Sequence, residues 1–310
     1  MDIKQLRALL TIAETGSVTR ASELLRIVQP AVSRQLRLLE DELGTQLFVR
    51  GRNGMEPTEA GTVLIDRVRR ALQELDRARD EIRPAAGTLR GLVTVGLLPS
   101  VSDHLAGPLV MGLKARHPEL QISIAVGYAG HLQQWIESAD IDVALLYDVR
   151  HSSTLEVQPL LDERLYLVGP TEAGLRMDTP ISVQDVACRP LVLPASPHGI
   201  RILFERACAT IDPKLRIVAQ TNAMNVQKNL VMQGLGFTVL PGVSIWEDVT
   251  QGRLCAAPIV EPDLRRRIVL ARSLGRRSTP QVRALLDELR EQVKISVERG
   301  LWPDADWLAD

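Results

Sequence analysis

The chain has few aromatic residues, 3%, and three cysteines, and no apolar run approaches the roughly 20 residues needed to cross a bilayer. No basic stretch followed by an apolar signal core stands at the N-terminus, so the protein is expected in the cytoplasm and not at a membrane. Cys188, Cys208 and Cys255 are an odd number at wide spacing without a CxxC pair, which argues against a disulfide framework and against structural zinc. Cys188 and Cys208 are open to a redox pairing; ordinary half-buried thiols are the simpler reading. No two histidines have metal-ligand spacing, so His104, His117 and His151 read as surface or packing residues, and neither a metal nor a cofactor is expected. Excess charge is missing too. A formal net charge of −1 means that any nucleic-acid binding must come from a local patch.

What the chain does have is 45% apolar and 24% charged residues over 310 positions, a globular α/β-like balance with room for two or three domains. Near the N-terminus, Ile3, Leu6, Leu10 and Ala13 follow helical spacing until Gly16. Ser17 or Thr19 can cap the next helix, whose Ala21, Leu24 and Leu25 are expected to face inward before a short break at Ile27-Val28. Pro30 suits the first position of a third helix, with Gln29 as its cap. Val32, Leu36, Leu39 and Leu43 then make a buried stripe, which leaves Pro30, Arg34 and Arg37 on the opposite face with Ser33 and Gln29 at its side. Arg and Gln offer forked groups that match purine edges in the major groove; Ser and a helix N-terminus suit phosphate oxygens.

An isolated amphipathic helix with such charges would more often be a solvated face. The succession of elements argues otherwise. Leu47-Phe48-Val49-Arg50 and Met55-Glu56-Pro57 flank Gly51-Arg52-Asn53-Gly54, a small hairpin with a basic tip, which reads as a wing beside a recognition helix. From Thr58, residues Gly61, Leu64, Val68, Ala71, Leu75, Ala78, Ile82 and Ala85 alternate three- and four-residue steps. A helix of that extent reaches roughly 40 Å, longer than one small core requires, and pairing with a second copy is its natural use.

At this point "LRALLTIAETGSVTRASELL", "QPAVSRQLRLLEDELGTQLFVR" and "PTEAG" resemble the LysR-type transcriptional regulators, and "GHLQQWIESADIDVALLYD" and "QGLGFTVLP" resemble that family's effector domain. The resemblance extends to about residue 297; among subgroups, the nitrogen assimilation control protein and its relatives look most similar. It implies an α/β multidomain chain: a winged helix-turn-helix DNA-binding domain over 1–57, a dimerising linker helix over 58–86, and a hinge over 87–91. A two-lobed periplasmic-binding-protein-like effector domain follows, with lobe I over 92–164 plus 266–297, lobe II over 165–265, and a tail over 298–310. DNA contacts are implied for Ser17, Thr19, Gln29, Pro30, Ser33, Arg34, Arg37, Arg50 and Arg52, and dimerisation for Leu64, Val68, Ala71, Leu75, Ala78 and Ile82. The implied partners are double-stranded operator DNA with dyad symmetry, a small-molecule effector, a second copy in a dimer or dimer of dimers, and RNA polymerase. Val28 departs from the family, which usually has Ser, Thr or Ala there, so a hydroxyl that could bind or cap is missing.

Beyond the hinge, strands over 92–98, 121–126 and 143–147 alternate with helices, and a similar cycle spans about 165–265, which predicts a largely parallel sheet. A strand over 265–271 and a helix over 279–295 return to the first lobe. Ligands of open α/β sheets lie beyond strand carboxyl ends, where helix N-termini favour anions. That logic selects Ser100, Val101 and Ser102, then Ala129, Gly130 and His131, with Ser196, His198, Arg201 and the loop Asn222-Ala223-Met224 closing from the second lobe. The absence of a hydroxyl at Ala129, where relatives often carry one, favours a less polar effector or none. Two other functions compete with this one. An enzyme could use Ser102, Asp103 and His104, but adjacent residues project apart and no G-x-S-x-G elbow or phosphate loop accompanies them. A solute-binding protein would need export and no winged helix. The acidic tail with Trp302 and Trp307 carries no functional signal of its own.

Overall fold

The computed structural model describes residues 1–51, 54–82, 89–147, 149, 152–209, 215–276 and 278–309, and the chain divides into two compact units, Met1–Pro84 and Ala85–Asp310. In the first unit Asp2 starts α1 (Ile3–Thr15) with a reciprocal cap: its Oδ1 accepts from the Gln5 N–H at 2.8 Å and its own N–H donates to Gln5 Oε1 at 2.7 Å. Gly16, at φ 63°, ends the helix. Ser17, accepting from the Arg20 N–H, caps α2 (Val18–Leu25). Arg26 turns the chain with φ 54°, and α3 (Gln29–Leu43) follows. The hairpin of β1 (Phe48–Gly51) and β2 (Gly54–Pro57) is antiparallel, and α4 (Glu59–Ile82) leaves it. Ala8, Leu9, Ile12, Ala21, Val32, Leu36, Leu39, Leu47 and Phe48 form the core together with Ile65 and Val68 of α4.

Two glycines make close approaches. A Cβ on Gly61 would lie 2.0 Å from the Leu47 carbonyl oxygen, so α4 can start against the hairpin only there. At Gly54 (φ 123°) a Cβ would lie 2.3 Å from the Gly16 carbonyl, which accepts from the Met55 N–H at 2.8 Å. The wing is thereby fixed to the end of α1.

The second unit runs β3 (Gly91–Leu97), α5 (Pro99–Arg116), β4 (Leu120–Val126), α6 (Ala129–Glu137), β5 (Val143–Tyr147) and β6 (Leu155–Pro170). It continues with β7 (Ile181–Ser182), α7 (Val183–Ala187), β8 (Leu191–Leu193), α8 (Gly199–Cys208), β9 (Ile217–Gln220), α9 (Met224–Met232), β10 (Thr238–Pro241) and α10 (Gly242–Thr250). The last elements are β11 (Leu254–Val260), β12 (Arg265–Ser273), α11 (Pro280–Glu298) and β13 (Ala305–Trp307). The principal sheet has the order β4-β3-β5-β12-β6-β11-β7, with β10 and β13 also paired to β6. Its parallel ladders lie at the two ends: β3 with β4 and with β5, and the short β7 with β11. In the middle β12 is antiparallel to both β5 and β6, and β6 is antiparallel to β10, β11 and β13. The expectation of a largely parallel sheet is corrected accordingly, because β6 and β12 are connecting strands rather than members of a β-α-β repeat.

Those two strands join the lobes. The first half of β6 gives Leu155, Leu160 and Leu161 to one core, and its second half gives Leu165 and Leu167 to another. The passage between lobes occurs inside a strand of 16 residues, without a loop to mark it. Gly91 already belongs to β3 rather than to a hinge; Gly87 and Thr88 lie outside the described residues. The tail is built in: Trp302 is buried, and Ala305–Trp307 adds a strand to β6.

Candidate functional site

The first site is the outer face of α3. Val32, Leu36 and Leu39 are buried, and Gln29, Pro30, Ser33, Arg34 and Arg37 are exposed together or nearly so. Neither Arg34 nor Arg37 has an ion-pair partner among the described residues, so the face presents positive charge and forked donors. Arg50 is exposed on β1, whereas Arg52 lies outside the described residues. Thr19 is exposed on α2, and Ser17 is half-buried with its oxygen engaged as the helix cap.

Several expectations are corrected. Val28, not Gln29, is the N-cap of α3, with no side-chain hydrogen bond; Gln29 and Pro30 occupy the first turn. Leu24 is 67% exposed rather than inward, and Leu43 is 40% exposed, because the helix ends at Gly44 before that position reaches the core. In α1 the buried positions are Ala8, Leu9 and Ile12, flanked by Leu6, Leu10 and Ala13, so the core stripe is rotated from the one expected, and Ile3 is exposed. Val68 is buried in this unit's own core and Leu64 packs on it, which removes Val68 from the dimerisation stripe. Ala71, Leu75 and Ala78 remain exposed beyond it; the side chain of Ile82 and the whole of Ala85 lie outside the described residues.

The second site lies within the second unit, a partly open pocket lined from both of its lobes. Pro99 and Ser100 at the start of α5, Tyr128 just before α6, Tyr147 at the end of β5, and Arg266 of β12 form part of its wall; His198, Ile200, Asn222, Met224 and Gln227 line it from the other lobe. Arg266 is 4% exposed and pairs through Nε with Glu163 Oε1 at 2.5 Å, while its Nη2 donates to Ser100 Oγ at 2.9 Å. The guanidinium stands 5.1 Å from the Tyr147 ring centre. Trp302 Nε1 donates to the other Glu163 oxygen at 2.7 Å. His198 Nδ1 is buried without a hydrogen-bond partner among the described residues, and burial, aided by the charge of Arg266, pushes the imidazole down to about 4.

Of the residues expected here, Ser100, His198, Asn222 and Met224 line this pocket. The others do not. Val101 is fully buried in the core, and Ser102 turns back to bond the Pro99 carbonyl and Asp103. Ala129 packs half-buried against the lobe I core, Gly130 is exposed outside the pocket wall, and His131 stacks on Trp135, so Tyr128 takes the position expected of α6's first turn. Ser196 is exposed, and Arg201 is held by Glu205 and the Pro194 carbonyl. Sequence reasoning missed Tyr128, Tyr147, Gln227 and Arg266. Tyrosines next to strand ends and a basic residue at the lobe crossing were the signals on offer.

Other candidates resolve differently. His104 meets Ser296 through Nε2, not Ser102, so the Ser102-Asp103-His104 group is not assembled for catalysis. Cys208 is buried, with its thiol pushed up to about 11 by burial and by Glu205, the opposite of a reactive thiolate. His117 is half-buried as the cap residue of α5, and His151 lies outside the described residues. No helix among the described residues is long and apolar enough to cross a membrane.

A winged helix-turn-helix with an open basic face and a two-core α/β unit with a pocket between its cores define a DNA-binding regulator equipped with a sensor module. The comparisons with known proteins agree. The model of the "LysR substrate binding domain" matches residues 86–294, and that of the "Bacterial regulatory helix-turn-helix protein, lysR family" matches residues 3–62. The chain belongs to the LysR family of DNA-binding transcriptional regulators. It is 32% identical over 305 residues to the HTH-type transcriptional regulator BbuR of Bordetella bronchiseptica, covering 98% of this chain and 93% of that one. It is 30% identical over 243 residues to the nitrogen assimilation regulatory protein nac of Klebsiella aerogenes, 78% of each. In fold it resembles a full-length OxyR variant from Pseudomonas aeruginosa (TM-score 0.69, 21% identity, covering 100% and 99% of the two chains). It likewise resembles full-length CbnR complexed with its target DNA (TM-score 0.69, 20% identity, covering 94% and 100%).

Proposed function

We propose that the protein binds a dyad-symmetric operator as a dimer or dimer of dimers, in the cytoplasm, and is not an enzyme. The observation that carries this reading is the outer face of α3, where Gln29, Ser33, Arg34 and Arg37 stand together and neither arginine has an ion-pair partner among the described residues. Arg34 and Gln29 read base edges; Ser33, Arg37, Thr19 and the wing residues Arg50 and Arg52 hold phosphates. Pro30 sets the start of the helix. Pairing of two copies through the exposed positions Ala71, Leu75 and Ala78, continued by Ile82, supplies the two recognition helices that a dyad requires.

A small molecule in the pocket of the second unit acts by binding two assemblies of the protein with different affinity, and RNA polymerase is the partner through which a change on DNA becomes a change in transcription. Selection from a random double-stranded library with the full chain tests the DNA part. An enriched inverted repeat supports it. Uniform recovery of all sequences by a folded protein contradicts it.

A further inference from the structure

The cation that would receive an anion in the pocket is already engaged. Arg266 is tied to Glu163, which is fully buried, and the second carboxylate oxygen is held by Trp302, so the cation of the wall has its countercharge directly behind it. Some of the N–H donors at the helix N-termini are taken as well. α5 begins with Pro99, which has no N–H, and Val101 and Ser102 both donate to the Leu98 carbonyl at 3.0 Å. At the start of α8 the Gly199 N–H donates to the Tyr147 hydroxyl at 3.2 Å.

What remains open is uncharged. Ser100 and Tyr147 accept through their oxygens from Arg266 and Gly199, which leaves their hydroxyl hydrogens to donate. His198 brings a buried Nδ1 without a partner among the described residues, and its ring stands edge-on to Tyr128, 5.1 Å between centres at 77°. Leu98, Ile200, Met224 and Leu240 supply apolar surface around them. Burial holds the imidazole in its neutral form near pH 7, so it exchanges a hydrogen bond without contributing charge. A carboxylate placed here would put a second negative group against Arg266 and leave the site with net charge out of water.

We propose that the pocket takes an uncharged, planar ring compound bearing both a hydrogen-bond donor and an acceptor, with His198 Nδ1 and the Ser100 hydroxyl as its polar partners. This rests on reading the pocket as the effector site. The Glu163–Trp302 pair is then a specificity device: by neutralising Arg266 from behind, it sets the pocket against anions.

Benzamide and benzoate share a ring and differ by charge, which makes them the probes, titrated into the full-length chain at neutral pH by calorimetry and ligand-observed NMR up to about 10 mM. Benzamide is expected to bind at least roughly tenfold more tightly, to lose that binding in H198A and Ile200→Trp, and to yield ground to benzoate in E163Q. Should E163Q not fold, the wild-type comparison decides alone; a folded E163Q with unchanged preference contradicts the role given to Glu163. Tighter benzoate binding that Ile200→Trp abolishes overturns the uncharged-ligand inference and leaves the effector site standing. Absence of binding by both probes, or benzamide binding that survives both pocket variants, removes the inference and the pocket reading together.

Discussion

Arginines of the two units face different things. In the first unit Arg34, Arg37 and Arg50 have no carboxylate partner among the described residues. In the second, the arginines of β6 and β12 are tied down: Arg164 to Asp263 and Asp304, Arg265 to Asp263 and Asp306, Arg266 to Glu163, Arg267 to Asp162, and Arg272 to Glu156. The same residue type is therefore left open to solvent in one unit and fastens strands in the other. A net charge of −1 conceals this, because among the described residues no carboxylate pairs with Arg34 or Arg37 of α3.

The difference can be broken by substitution. The largest effect is expected from Arg266→Ala, which strands the fully buried Glu163 without its cation and should cost about 3–5 kcal/mol in a urea melt of the second unit. Arg34→Ala should leave stability within about 0.5 kcal/mol, because no ion pair within the described residues depends on that side chain. A mild loss at Arg266 would erase the distinction between the two groups of arginines. Next comes acid. His198 is pushed down to about 4 in the fold from an ordinary 6.5, so between those values the unfolded chain takes up a proton that the folded one refuses. Stability should accordingly fall as pH drops through that window, by at most about 3 kcal/mol, and His198→Gln should remove that share of the slope. Identical pH profiles for the two proteins would contradict it.

Smaller effects belong to the first unit. Arg34→Ala should lower affinity for the selected operator by about 1–3 kcal/mol more than for random duplex, measured by competition. Equal weakening on both would make Arg34 a phosphate-binding residue. Val28→Ser supplies the side-chain cap that α3 lacks and should raise stability by about 1 kcal/mol; an unchanged denaturation midpoint would mean that the hydroxyl does not reach the first-turn N–H groups.

Much of this was legible in the sequence. Period and turn residues located the three helices and the wing within a residue or two, and the outward set on α3 followed from Val32, Leu36 and Leu39. Val28 as N-cap shows where that reading stops, since one residue of helix boundary depends on backbone angles that proline only biases. Leu64 and Val68 fit a dimerisation stripe by spacing, but periodicity cannot tell burial against the chain's own core from burial against a second copy. The pocket was the least legible part. Ser100, His198 and Asn222 were found by the rule of strand and helix ends, whereas Arg266 meets Ser100 only because β12 and α5, far apart in sequence, are brought together. Trp302 was unreadable for the same reason: its partner Glu163 lies on a strand that no local pattern connects to the tail.

The most direct test of the central claim is the salt dependence of operator binding, compared between a variant lacking Arg34 and Arg37 and one lacking Arg265 and Arg267, both changed to Gln so that net charge falls equally. The account predicts that removing the α3 pair lowers affinity and flattens the slope of log affinity against log salt by about 0.9 for each phosphate no longer neutralised, while removing the β12 pair leaves both near wild type. Equal effects from the two pairs would contradict it, since binding would then follow overall charge and not the face of α3.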